Sequence, residues 1–334
     1  MNLKKSGTNI CMFDIHDGKM LYMLTGHSQW NRKHHPFLLC SCSRGEGVKN
    51  SDHICRMISH SEHQRLYDRS VTQWIRKRDK SGDIYDKKAH LDWIDIHNTG
   101  ISHFGIEPRL LPLTSIRFDV FHLRSAITRN LLSRLREFIY SQDFDLMKGL
   151  EEILSTTWNS YFILVWNSNR KLTSLRGKEI VGFIQIIPKI VGFIKEKFVI
   201  SPYLHNLCEG LSLWEEISSF IHRTVISNNS EYEQNISVFK HNVQIFYQKG
   251  ADSFLTKSET GDSETFYMHV LRFYLPTIVD STWKDYGLGI GIYSMQGFER
   301  RNKEAKAVFK NHTNKRGNVI VQCMNRLLEK FNYN

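Results

Sequence analysis

The chain lacks an apolar run long enough to cross a bilayer. Its most apolar stretch, Ile180 to Ile194, is broken by Gln185, Pro188, Lys189 and two glycines, and a membrane helix needs about 20 mostly apolar residues. The opening Met-Asn-Leu-Lys-Lys-Ser-Gly-Thr-Asn has no apolar stretch behind its lysines, so it does not read as a secretory signal. Cysteine is scarce. The six at positions 11, 40, 42, 55, 208 and 323 are too few and too unevenly spaced for a secreted disulfide scaffold. Acidic residues are also short, at 34 against 45 lysines and arginines, which leaves a net charge of +11. Together these deficits point to a soluble, intracellular protein with polyanionic partners, nucleic acid before acidic membrane surfaces.

With 334 residues, 41% of them hydrophobic, there is apolar material for one large core or two to three modest domains. The positive charge is spread along the chain, which fits the faces of a folded protein better than a tail.

Residues 10–26 run from a short apolar segment through Asp14, His16 and Asp17 into a stretch with Met20, Leu21 and Leu24 at helical spacing. This predicts a strand-to-helix junction at Asp17 and a helix end at Gly26. Residues 31–70 are rich in His, Cys, Arg and Gly with little apolar periodicity, as in a metal-tied loop region. Residues 76–100 read as a charged, exposed connector. From Asp119 onward, Val120, Leu123, Ile127, Leu131, Leu135 and Ile139 recur every three to four residues, which predicts a long helix. Helical patterns continue to about residue 275, strongest at 143–155, 211–226 and 236–248. The pentapeptide IVGFI occurs at 180–184 and again at 190–194, too little for a repeat architecture. A glycine-punctuated segment then leads into a basic helix near 299 and a last apolar helix over about 318–331.

Three of the cysteines cluster as Cys40-Ser-Cys42 and His53-Ile-Cys55, with His60 and His63 close by. Two such pairs can supply four tetrahedral ligands, so Cys40, Cys42, His53 and Cys55 form a candidate structural zinc site. The competing interpretation is free thiols in a histidine-rich surface loop. Two acids also stand out. Asp17 at a helix start would ordinarily be a cap, and Glu299, in SMQGFERRNKEAK, would ordinarily lie on a solvated, ion-paired helix face.

In combination these segments resemble the DDE transposase and recombinase family, in particular the V(D)J recombination-activating recombinase. Asp17 in HDGKMLYMLTG is followed by the Cys pair, a long helical stretch and GIGIYSMQGFERRNKEAK. There Gly297, Glu299, Asn302 and Lys303 match a Gly-x-Glu-x-x-Asn-Lys segment. IRFDVFHLRSAI (116–127) is similar to the Asp-x-x-His segment that opens the family's insertion. YMHVLRFYLP (267–276) is similar to the segment with two zinc-binding histidines five residues apart, although only His269 matches and Tyr274 stands at the second position.

The resemblance implies an α/β remnant of a ribonuclease-H-like core with a long, mainly α-helical insertion, helix-dominated overall. It divides the chain into a core segment carrying the second acid (1–30), a Cys/His zinc region (31–75), a connector (76–115), the insertion (116–278) and core helices carrying the last acid (279–334). It further implies that Asp17 and Glu299 hold Mg²⁺ or Mn²⁺, and that His269 is the alternative zinc ligand. Arg300, Arg301, Lys303, Lys306, Lys310, Lys315 and Arg316 would contact DNA phosphates. The family's first acid lies far upstream of its second, and the chain starts sixteen residues before Asp17, so an incomplete acidic site is expected. Nuclear location and a homodimer are the corresponding expectations for place and assembly. A basic DNA- or RNA-binding protein without catalysis is the other outcome compatible with these residues.

Overall fold

In the computed structural model, the described residues are 2–5, 8–11, 14–16, 22, 39–42, 54–81, 85–105, 107–109, 116–140, 148–150, 152–154, 177–198, 201–225, 228–251, 253–255 and 266–294. The chain divides into two compact units, Met1–Tyr293 and Ser294–Asn334; all but Ser294 of the second lies outside the described residues.

The first unit is dominated by helices, as the periodicity predicts. Asn2–Lys5 (β1) and Thr8–Cys11 (β2) form an antiparallel pair. Asp14–His16 (β3) follows and ends one residue before Asp17, which lies outside the described residues. β3 pairs in parallel with Ile116–Phe118 (β4), His16 opposite Phe118. Parallel neighbours need a long crossover, and the 99 residues between these strands (17–115) provide it. The helices are α1 (His60–Ser81), α2 (Lys87–His97), α3 (Val120–Tyr140), α4 (Gly177–Lys197), α5 (Pro202–His222), α6 (Asn229–Ala251), α7 (Phe266–His269) and α8 (Leu275–Tyr286).

The core is built by α3 to α6 with α8. On α3, Val120, Leu123, Ile127, Leu131 and Leu135 are all buried, which is the predicted stripe. Asp119 starts this helix, its carboxylate accepting from the Phe121 N–H at 2.9 Å and also paired with His122. The two IVGFI copies both lie on α4 and both contribute to the core, through Ile180, Phe183 and Ile184 and through Ile190, Val191 and Ile194. Gln185, Pro188 and Lys189 lie on its exposed side, so the helix is amphipathic. Among the described residues, no helix is long and apolar enough to cross a membrane.

Trp214 of α5 is fully buried, and its indole N–H donates to the Thr128 hydroxyl of α3 at 2.9 Å, so the largest core side chain keeps its polar atom satisfied. Where α5 meets the end of α6, a Cβ at Gly210 would stand 2.4 Å from the Phe254 ring. Glycine is therefore required there by close approach.

Two helices fall where the sequence reads as loop and connector. α1 occupies the end of the 31–70 segment and α2 the middle of 76–100. Neither carries an apolar stripe, because they are held by a small polar and aromatic centre. Of α1 only His63, Leu66 and Ser70 are buried. The Ser70 hydroxyl is hydrogen-bonded to the His90 ring at 2.9 Å and the His103 ring at 3.0 Å, and Tyr85 reaches the other His90 nitrogen at 3.3 Å. Trp74 packs edge-on to His90 and Phe104. Asp86 caps α2 through the Ala89 N–H.

Burial, with the neighbouring His103, lowers the His90 pKa to about 4, and burial lowers His103 as well. An unfolded histidine titrates near 6.5, so both rings stay neutral in the fold while the unfolded chain takes up protons first. The stabilisation is complete above about pH 6.5 and is lost as pH falls toward about 4. Fluorescence of Trp74 and Trp93 in a pH titration is expected to report loosening of this centre across that window. His90→Gln is expected to flatten the transition; an unchanged transition would contradict the assignment.

Candidate metal centre

Three segments far apart in sequence meet at one buried point. The first is Leu39–Cys42, tied to the second by an antiparallel bridge between Cys40 and Met57 and by the Ile58 N–H donating to the Leu39 carbonyl at 2.8 Å. This brings Cys55 beside Cys40 and Cys42. The third is α7, whose last residue, His269, is fully buried. The thiol sulfurs of Cys40, Cys42 and Cys55 and a ring nitrogen of His269 all lie within 4.8 Å of one another. His269 Nε2 stands 3.3 Å from Cys40 Sγ and 3.9 Å from Cys55 Sγ. Tetrahedral zinc with bonds of about 2.0–2.3 Å would set such ligands roughly 3.5–3.8 Å apart. A Cys₃His cluster of this size can hold a metal ion such as zinc.

The local backbone explains how His269 is delivered. Directly after it, Val270–Tyr274 forms a π turn, closed by the Leu275 N–H donating to the Val270 carbonyl. In a regular α-helix, residues five apart diverge by about 140° around the axis. The wider π turn draws them closer to one side, so both His269 and Tyr274 face the cysteines. The Tyr274 hydroxyl donates to Cys40 Sγ at 3.1 Å and accepts from the Leu39 N–H at 3.3 Å. Tyr274 also stacks on Phe118 of β4, with ring centroids 5.8 Å apart. The metal centre and the parallel strand pair therefore share a side chain.

Electrostatics favour a charged sulfur at Cys40. Burial by itself would raise its thiol, but hydrogen bonds from Cys42, Cys55 and Tyr274 outweigh it and bring the pKa down to about 4. Cys55 moves the other way, raised by its hydrogen bonds to Cys40 and Cys42. The direction at Cys40 favours the thiolate, which is the nucleophilic and metal-binding form.

The structure thus brings together Cys40, Cys42 and Cys55 with His269, the residue expected as the alternative ligand. His53, expected as the fourth member, lies outside the described residues, as do Asp17, Glu299, Arg300, Arg301, Lys303, Lys306, Lys310, Lys315 and Arg316. The sequence holds one signal for Tyr274: a tyrosine five residues after a histidine in a mostly apolar segment. Its role as a donor to sulfur needed the π turn to become visible. No protein-family model and no curated protein sequence matches this chain.

Purified protein is expected to carry about one zinc per chain, lost in Cys40→Ser and His269→Ala and kept in His53→Ala. Retention of full zinc by His269→Ala would exclude His269 as a ligand. Removing a hydrogen-bond donor to a metal ligand costs about 10–100-fold in metal affinity. Tyr274→Phe is therefore expected to weaken zinc by that factor in a chelator competition while leaving the helical circular dichroism unchanged.

Proposed function

We propose that this chain is a transposase-derived DNA-binding protein with a structural zinc centre and an acidic site for DNA strand cleavage to which Asp17 and Glu299 contribute. The observation that carries the reading is the union of Cys40 and His269 across 229 residues. The family resemblance implies a Cys pair near the second acid and zinc-binding histidines at the end of a helical insertion. A convergence of those two segments is what such an architecture requires, and it is not needed by a generic basic helical protein. The parallel pairing of β3 with β4 adds support, because Asp17 immediately follows His16, the last residue of β3. In open α/β sheets, functional groups collect at the carboxyl ends of parallel strands.

On this reading, Asp17 and Glu299 are the carboxylates that would hold Mg²⁺ or Mn²⁺, the hard oxygen donors such ions prefer. The bound ions would activate the attacking oxygen and stabilise the leaving one in an in-line displacement at phosphorus. The chain's own contribution is the two carboxylates, and basic side chains that hold DNA phosphates. Nuclear location and pairing of two copies belong to the same proposal.

The test is a binding series with a short duplex across increasing salt, run beside a cleavage assay with Mg²⁺ or Mn²⁺. Affinity is expected to fall steeply with salt, since each neutralised phosphate releases counterions, and metal-dependent nicking, where it occurs, is expected to be lost in Glu299→Gln. Undetectable or salt-insensitive binding would overturn the nucleic-acid reading. Nicking unchanged by Glu299→Gln would remove Glu299 from the acidic site.

A further inference from the structure

α1 is an unusual helix for its surroundings. It is 22 residues long, about 33 Å at 1.5 Å per residue, yet only His63, Leu66 and Ser70 are buried. Its last two turns, from Ile75 to Lys80, are exposed on every side, and Ile75 keeps 45% of its surface in solvent. A helix that buries so little contributes little to the core, and a helix that is polar nearly all round calls for another account of its surface.

Charge supplies one. The helix holds Arg65, Arg69, Arg76, Lys77, Arg78 and Lys80 against Glu62, Asp68 and Asp79. All six basic side chains are exposed. At 100° per residue, Arg65, Arg69, Arg76 and Lys80 fall within about 60° of arc, a stripe about 22 Å long. Lys77 stands alongside it. Asp68 is engaged by Gln64 at 3.0 Å and Asp79 lies 4.0 Å from Arg78. Arg69 lies over the Trp93 ring at 5.6 Å. Among the described residues, Arg65, Arg76, Lys77 and Lys80 have neither a carboxylate nor a ring partner.

We propose that the exposed basic stripe of α1, centred on Arg65, Arg76, Lys77 and Lys80, is a docking surface for the phosphate backbone of double-stranded DNA. This rests on the DNA-binding reading above and assigns it residues of the first unit. Four cations on one rigid rod match a row of phosphates, and guanidinium groups bind phosphate oxygens with paired hydrogen bonds. Contacts of this kind fix position on the duplex and carry no sequence information. The stripe therefore supplies sequence-independent affinity. Ser70 and Trp74 lie about 110° and 150° round the helix from the middle of the stripe, and Lys77 shares the angle of Ser70 but sits about two turns beyond it, so occupying the surface leaves the Ser70–His90–His103 hydrogen bonds intact.

The experiment compares the whole chain with Arg65→Gln/Arg76→Gln/Lys77→Gln/Lys80→Gln, and with a charge-matched control, Lys148→Gln/Lys189→Gln/Lys195→Gln/Lys197→Gln, on the exposed side of other helices. Glutamine keeps helix propensity close to that of Arg and Lys, and circular dichroism with zinc content checks that each variant is folded. Affinity for a duplex of about 25 base pairs is measured by fluorescence anisotropy at several salt concentrations. The stripe variant is expected to bind at least 10-fold more weakly. Its log–log salt slope should be shallower by about 0.9 for each phosphate no longer neutralised. The control is expected to weaken by less than threefold. If the unaltered chain binds with a steep salt slope and the stripe variant matches it, or matches the control, the α1 surface is refuted while DNA binding stands. If the unaltered chain does not bind duplex DNA, both proposals fall.

Discussion

The first unit depends on a single short-range constraint: four ligand atoms within 4.8 Å that join the segments around residues 40 and 55 to residue 269. Cys40 and His269 are 229 residues apart, and the core helices α3 to α6 lie between them in sequence. Closing so long a loop costs conformational entropy, although that cost grows only slowly with length. A site with three sulfurs and one imidazole repays it when metal binds, because the free energy of binding becomes folding free energy where the site does not exist in the unfolded chain. The metal centre also fixes direction. Tyr274 donates to Cys40 and stacks on Phe118, so the same side chain that orients the sulfur sets the end of β4. Beyond β4, Asp119 begins α3, the helix whose stripe is buried from Val120 to Leu135.

Much of that helical core is legible in the sequence because its pattern is dense. Val120 to Leu135, the two IVGFI segments and the stretches around 211–226 and 236–248 all put apolar residues on one face, and burial follows that face. The cysteine cluster is legible as a group of soft donors at close spacing. The choice of its fourth member is harder, because local spacing favours His53 while the geometry supplies His269 from across the core. Spacing reports only on neighbours in sequence. A ligand delivered from a distant segment is signalled solely by a buried polar residue in an apolar stretch, and a buried histidine has many ordinary explanations. The π turn that aims Tyr274 has no sequence signature among these residues at all.

α1 and α2 are illegible for a different reason. Periodicity detects helices that bury a stripe, and these two bury a handful of polar and aromatic side chains instead. Among the described residues, the aliphatic side chains buried here are few: the cluster of Ile58, Leu66 and Ile101, and Ile94 of α2. So few bury too little surface to hold two helices unaided. The remaining stability comes from the Ser70–His90–His103 hydrogen bonds and the rings around Trp74. Such groups look like surface residues in a sequence, since His and Ser are mostly found exposed or partly so.

This sparse anchoring bears on how the metal and the basic helix are related. Cys55 precedes the first residue of α1 by five positions, and Ile58 is bonded to Leu39 beside Cys40. The root of α1 is therefore pinned by the metal ligands on one side and by the histidine centre on the other. A protruding helix with a small core beneath it would swing on a flexible hinge, and an array of cations held loosely loses entropy on meeting a fixed row of phosphates. A metal coordinated by Cys40, Cys42, Cys55 and His269 would hold that root in place. Bound there, it would do what a larger hydrophobic core otherwise does, rigidifying a charged helix that could not bury apolar surface without giving up its charges.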